Sequence, residues 1–401
     1  MRLFSLTNQA EAKKIMRDIG VDPYGTGIMA PKALSFAVLL KNVSNISANI
    51  IKQEMLSFGA DAAVARGALT GKVKNTDVLI IGTLAQFNSL VSKLKFQPFG
   101  LNKTGLELDT AIGNYFKNNF ILHLRNRSLH LGKKPRVMGI INLTPDSFSG
   151  DGLYFEGINY LDLALKKAKM MESEGADIID LGGQSSRPGS KSVSLREELK
   201  RVIPAVRLLA KETKLPISID TLKPEVAQAA FDSGAEILND ISGLRNNKML
   251  KVAAKYKATV IIMHMLGNPR TMQKIISYRS LLDDIAVYLK NAVARAQASG
   301  ISPDKIVIDP GIGFGKTVSH NLQLIKRLSD FKVLGKPILV GLSRKSFIAS
   351  VLGDSPLNRL TGTMAACVMA AQAGANILRV HDVKEIAACL KMAEAIKNAD
   401  K

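Results

Sequence analysis

The chain has 401 residues, with 55 Lys and Arg against 34 Asp and Glu and a net charge of +21. One (β/α)8 barrel uses roughly 250 residues, so this length leaves room for a second, smaller domain. With 46% hydrophobic and 22% charged residues the composition excludes a disordered or fibrous chain, and no apolar run reaches the ~18 residues of a membrane span.

The start, MRLFSLTNQAEAKK, lacks the sustained apolar stretch of a secretory signal. Two cysteines, Cys367 and Cys389, lie in alanine-rich helical text and read as reduced core thiols, so a cytoplasmic protein is expected. The basic excess is spread over the chain without a basic arm. There is no Trp and there are only 7 Tyr to stack on bases. The charge therefore reads as a solvated surface suited to phosphorylated small molecules, with no nucleic acid and no membrane as partner.

In chain order, residues 9–19, 46–58 and 84–94 have helical spacing, the last with Thr83 as N-cap. Residues 33–40, 61–64 and 78–82 read as strands. Residues 1–118 thus form a small α/β domain without a cluster of reactive groups, expected to serve regulation or assembly. Two alternating runs, 120–125 and 128–131, flank Asn126-Arg127 as a hairpin placed to close the N-terminal mouth of the second domain.

From residue 137 eight short apolar runs alternate with helical text: 137–142, 178–181, 217–220, 237–240, 260–263, 306–309, 338–341 and 377–380. Crossover helices at 160–174, 224–233 and 281–298 lie between them, and Gly175, Gly234, Gly300 and Gly374 mark helix ends. Eight βα units with strands apolar on both faces predict an α/β fold, a (β/α)8 TIM barrel over about 119–401. A doubly wound open sheet is the alternative, but it would more often carry a Gly-rich phosphate loop after its first strand. Gly311, Gly313, Gly315 and Lys316-Thr317 imitate a nucleotide loop, yet Pro310 stands where that motif needs glycine.

A barrel works at the loops after its strands. At those positions the chain offers Asn142, Asp220, Asn239, His264, Asp309, Lys345, Arg379 and His381. Each alone could cap a helix or start a turn. Eight on one rim point to a site.

The stretches around these residues carry a family pattern: MGIINLTPDSFSGD from Met138, DIIDLGGQSSRPG from Asp177, SIDTLKPEVA from Ser218, NDISG from Asn239, MHMLGNPRTMQ from Met263, DPGIGFGKT from Asp309, GLSRKSFI from Gly341 and RVHDV from Arg379. In this order they resemble the dihydropteroate synthases. The resemblance implies condensation of p-aminobenzoate with a dihydropterin methyl diphosphate, release of pyrophosphate, a Mg2+ cofactor, a homodimer and sensitivity to sulfonamides. It assigns the pterin to Asp220, Asn239, Asp309 and Lys345. The diphosphate goes to Asn142, Ser186, Arg379 and His381, with Asn142 also the Mg2+ ligand. The aminobenzoate goes to Ser186, Arg187, Pro188, Phe314, Lys345 and Ser346. Asp146, Phe148, Asp151 and Gln184 belong to loops expected to move.

The chemistry of the side chains agrees with those roles. Ionised carboxylates accept from the clustered N–H groups of a pterin edge, and cations two residues apart on one strand can face an oxyanion together. Three departures stand out: Gln184 replaces the usual glutamate, Ser186 the commoner threonine, and Gly150 precedes Asp151. The rivals are a barrel methyltransferase that moves a methyl group from a reduced folate, and a non-catalytic binder of pterins or nucleic acid. Neither accounts for the SSRPG loop together with Ser343-Arg344-Lys345.

Overall fold

The computed structural model describes the chain apart from residues 126, 133, 146–151, 155–158, 186–191, 269, 270, 274, 400 and 401. It divides into two compact units, Met1–Phe116 and Lys117–Lys401.

The first unit contains β1 (Ser35–Ser44), β2 (Asp61–Val64) and β3 (Asn75–Thr83), joined as an antiparallel sheet in the order β1-β3-β2. Side chains alternate along a strand, so Val78 and Ile80 of β3 share one face. That face packs with Ile51, Met55, Phe87 and Leu90 of the helices Asn45–Ser57 and Leu84–Leu94. Thr83 and Gln86 form a reciprocal capping box at the start of the second helix. A further helix, Leu101–Phe116, was not anticipated from the sequence. Gly105 and Gly113 weaken its helical signal. Gly105 has a packing reason, because a Cβ there would come within 2.9 Å of Leu94 Cβ.

The second unit opens with the hairpin β4 (Phe120–His123) and β5 (Ser128–Leu131). Eight parallel strands come next: β6 (Arg136–Asn142), β7 (Ile178–Gly182), β8 (Ile217–Asp220), β9 (Ile237–Asp240), β10 (Thr259–Met263), β11 (Ile306–Asp309), β12 (Leu339–Gly341) and β13 (Ile377–Val380). Neighbours in space are neighbours in the chain from β6 to β11, and β13 pairs with both β12 and β6. The remaining gap is closed by a parallel bridge between Ile308 and Ile338, with the Ile308 N–H donating to the Pro337 carbonyl at 2.9 Å. The sheet is a closed barrel, and the open-sheet alternative is excluded.

The hydrophobic pattern separates inside from outside. Outward residues such as Ile141, Ile179, Ile219 and Ile262 pack with the surrounding helices. The lower inward layer, Met138, Ile178, Ile237, Ile261, Val307, Leu339 and Ile377, packs with Leu122, Leu124 and Leu131 of the hairpin region. The hairpin therefore plugs the N-terminal end of the barrel with apolar side chains. All polar chemistry is left to the other end. The glycines expected at helix ends take left-handed backbone, with φ of 101° at Gly175, 112° at Gly234, 92° at Gly300 and 103° at Gly374.

Candidate active site

Strand register sets the upper inward layer. Asn142 pairs with Gly182, Gly182 with Asp220 and Asp220 with Asn239, so these four stand in one row across β6 to β9. Met263 pairs with Asp309, and Gly341 with Arg379, on the other side of the barrel. Two of the positions are glycines. A Cβ on Gly182 would lie 3.9 Å from Asn142 Oδ1 and 4.0 Å from Asp220 Oδ2; one on Gly341 would lie 3.9 Å from Lys345 Nζ and from Arg379 Cβ. The missing side chains leave the polar groups facing a shared space.

One level deeper lies Asp180 of β7, fully buried. Its Oδ2 accepts from Arg379 Nε at 2.6 Å and from Asn239 Nδ2 at 3.2 Å. Arg379 Nη2 donates to Asp220 Oδ2 at 2.8 Å. The guanidinium thus joins two carboxylates inside the barrel, and the Asn239 amide is oriented by the same anion. Asp180 is a site residue that the sequence reading missed. Its one signal was a lone carboxylate inside the apolar run 178–181, which demands a buried partner.

Burial pushes the Asp220 carboxyl up to about 7 even with Arg379 beside it, and the charges of Asp180, Glu198 and Asp240 add to the rise. Burial likewise raises Asp309, opposed by Lys345, the Gly311 N–H, Lys316 and Arg379. The Lys345 ammonium is lowered to about 8 by burial, with Asp309 opposing the fall. Asp220 and Lys345 therefore both change protonation near neutral pH.

Lys345 reaches this space from the loop after β12. Its ammonium donates to the Ile312 carbonyl and lies 4.8 Å from the centroid of the Phe314 ring. Arg344, with φ of 57°, turns the chain there. Its guanidinium donates to Asp382 Oδ2 at 3.0 Å, which ties the loops after β12 and β13 together. Phe314 and Lys345 are thereby brought into contact. Ser346 is exposed, at the first position of the helix Ser346–Leu352.

His381 departs from the strand-parity expectation. β13 ends at Val380, so His381 lies beyond the strand and does not share the orientation argument made for Arg379. Its Nδ1 is 3.0 Å from Ser343 Oγ, which also accepts from the His381 backbone N–H at 3.2 Å. Gln184 is held rather than open: its Oε1 accepts from Val193 N–H at 3.1 Å and from Lys223 Nζ at 2.8 Å. Lys223 in turn pairs with the buried Glu198 carboxylate, an interaction that the sequence reading also missed. Asp146, Phe148, Asp151, Ser186, Arg187 and Pro188 lie outside the described residues.

Among the described residues no group of three or more His, Cys, Asp or Glu could hold a metal. The half-buried Asn142 amide oxygen beside Asp220 fits Mg2+ in another way, as one protein oxygen for an ion whose other ligands are water and phosphate.

A closed barrel with carboxylates, an amide and two cations at its C-terminal mouth is the arrangement of a pterin-binding barrel enzyme, and the pterin binding enzyme family model matches residues 138–381. A dihydropteroate synthase of Synechocystis is 47% identical over 267 residues, covering 66% of this chain and 91% of the relative. A crystal structure of the Yersinia pestis dihydropteroate synthase with a sulfonamide drug complex superimposes with a TM-score of 0.67 at 43% identity, over 70% of this chain and 100% of that one. The Xanthomonas albilineans dihydropteroate synthase with 4-aminobenzoic acid gives 0.64 at 39% identity, over 70% of this chain and 98% of that one. The chain belongs to the dihydropteroate synthases, transferases of folate biosynthesis. A probable bifunctional folylpolyglutamate synthase/dihydropteroate synthase of Halobacterium salinarum is 36% identical over 388 residues, 96% of this chain and 46% of the relative. Its match therefore extends into the first unit.

Removing one member of a buried ion pair strands the other's charge. Asp180→Ala is expected to lower the stability of the barrel by about 3–5 kcal/mol, measured by urea unfolding at neutral pH. A loss under about 1 kcal/mol would show that Arg379 does not depend on Asp180.

Proposed function

We propose that the mouth joins p-aminobenzoate to a dihydropterin methyl diphosphate and releases pyrophosphate. The observation that carries this reading is the convergence of Asp220, Asn239, Asp309, Lys345 and Arg379, contributed by five different strands or strand-end loops. Asp220 and Asp309 accept from the N–H edge of the heterocycle, Asn239 adds an amide, and Lys345 donates to a ring oxygen or nitrogen. Phe314 offers an aromatic face to the aminobenzoate beside Lys345. Ser346 offers a hydroxyl to its carboxylate. The resemblance gives Ser186, Arg187 and Pro188 to the same ring.

The displacement is dissociative. Arg379 and His381 stabilise the departing diphosphate, and the methylene cation left behind is delocalised into the pterin. Asp220 and Asp309 favour that cation electrostatically. The aniline nitrogen, uncharged at neutral pH, then attacks the methylene carbon, so no strong general base is required. Asn142 would hold Mg2+, which when bound supplies neutralising charge to the diphosphate.

The same reading makes the protein a cytoplasmic homodimer and a sulfonamide target. Among the described residues no helix is long and apolar enough to cross a membrane. The first unit is an appended regulatory or assembly domain, supported by its separate core.

Two experiments test this. Mixing the protein with dihydropterin diphosphate and p-aminobenzoate is expected to release pyrophosphate, and Lys345→Ala to reduce kcat/KM by about a hundredfold, the worth of a charged hydrogen bond made to the reacting ring. Folded wild-type protein that releases none would overturn the assignment. Removal of residues 1–118 is expected to leave turnover broadly intact; complete loss with the barrel still folded would assign the first unit a part in catalysis.

A further inference from the structure

The loop after β11 holds a buried cation that the proposed chemistry does not use. Lys316 is 3% exposed. Its ammonium donates to the Phe314 carbonyl at 3.0 Å and to His264 Nδ1 at 3.1 Å. Burial, together with the charges of Lys316 and Arg245, pushes His264 down to about 2, so this imidazole is neutral; facing an ammonium, which only donates, its Nδ1 is the acceptor. Lys316 therefore spans two strand ends: His264 comes directly after β10, and Phe314 belongs to the turn after Asp309 of β11.

That turn is held from several sides, with Asn321 Oδ1 accepting from the Gly313 N–H at 2.7 Å and the Tyr278 hydroxyl donating to the Gly315 carbonyl at 2.9 Å, and Lys316 ties it to β10. Gly311 and Gly313 take φ of 71° and 86°, a conformation available to glycine at little cost but weakly held by it. A Cβ at Gly311 would fall 1.8 Å from the His264 carbonyl oxygen, so the turn lies directly against the end of β10. The buried lysine bonds across this contact.

Its charge has a second consequence. The charged groups that face Asp309 are Lys345, Lys316 and Arg379, while Asp309, Lys345 and the neutral His264 face Lys316. Burial lowers the Lys316 ammonium to about 7, with Asp309 opposing the fall. Lys345 and Arg379 are the cations assigned to substrate. Lys316, buried behind the turn, stays with the protein through the reaction.

We propose that Lys316 is a positioning residue of this site: it pins the Phe314 turn against His264 and lends its ammonium to the Asp309 end of the site while Lys345 engages the heterocycle. This deepens the synthase reading and rests on it. A compact ammonium suits the role, since it offers three donors within a space bounded by the His264 ring and a carbonyl.

Full-length Lys316→Met, Lys316→Gln and Lys316→Arg, compared with wild type by pyrophosphate release against pterin diphosphate concentration and pH, separate the two parts of the proposal. Lys316→Met is expected to raise KM for the pterin substrate about tenfold, the lower end of the worth of a charged hydrogen bond because the contact is indirect, with kcat changed less. Without the Lys316 charge the Asp309 carboxyl titrates higher, so the acid limb of kcat/KM moves to higher pH. Lys316→Gln keeps a donor for the Phe314 carbonyl and is expected to show the moved limb with a smaller rise in KM. Lys316→Arg, which keeps the charge but not the compact head, is expected to return the limb toward its wild-type position. Folded neutral variants with wild-type KM and an unmoved limb overturn the proposal. So does the failure of both neutral variants to fold while Lys316→Arg folds, which would make the lysine structural. Absence of turnover in wild type is a distinct result, and it counts against the synthase reading itself.

Discussion

The site is organised around a guanidinium held inside a barrel by two carboxylates. Arg379 bonds Asp180 and Asp220 at 2.6 and 2.8 Å, and Asp180 also receives the Asn239 amide. Charges placed there lose water, and only mutual compensation makes their burial tolerable. The compensation is incomplete at Asp220, where burial and three further acids leave the carboxyl titrating near neutrality. A binding partner that brings N–H donors to that carboxylate completes the compensation. The buried charge is in this sense a preformed demand for a ligand.

The rest of the barrel serves to keep that cluster at one end and open to one side. The hairpin and the lower inward layer fill the opposite end with apolar side chains. Gly182 and Gly341 withhold side chains from the polar row, and the Arg344–Asp382 ion pair fixes the loop that presents Lys345. Each device is local. Together they let strands from distant parts of the chain meet around one shared polar space, as dihydropteroate synthesis requires.

Much of this was legible in the sequence. Strands 217–220, 237–240, 306–309 and 377–380 have the bounds read from apolar runs, because a strand apolar on both faces ends sharply where a polar residue turns inward. Asp220, Asn239, Asp309 and Arg379 were visible as the last or nearly last residues of those runs. Contacts made by side chains across the barrel were not visible. Nothing local tells that Asp180 faces Arg379, that Lys316 meets His264, or that Lys223 bridges Gln184 and Glu198, since each pair is set by register and loop path. Only the parity argument for His381 failed, for a related reason: it was extended one residue past the strand's end. The Leu101–Phe116 helix was obscured by two glycines, one of which exists for packing against Leu94.

The central claim is that a buried carboxyl, pushed up by burial, becomes an anionic acceptor when the pterin arrives. Calorimetric titration of a pterin into the protein at pH 7, repeated in buffers of different ionisation enthalpy, measures the protons exchanged on binding. With Asp220 raised by burial, protons should be released as the bound heterocycle draws the carboxyl to its anion. Binding without proton exchange, or with uptake, would contradict the account.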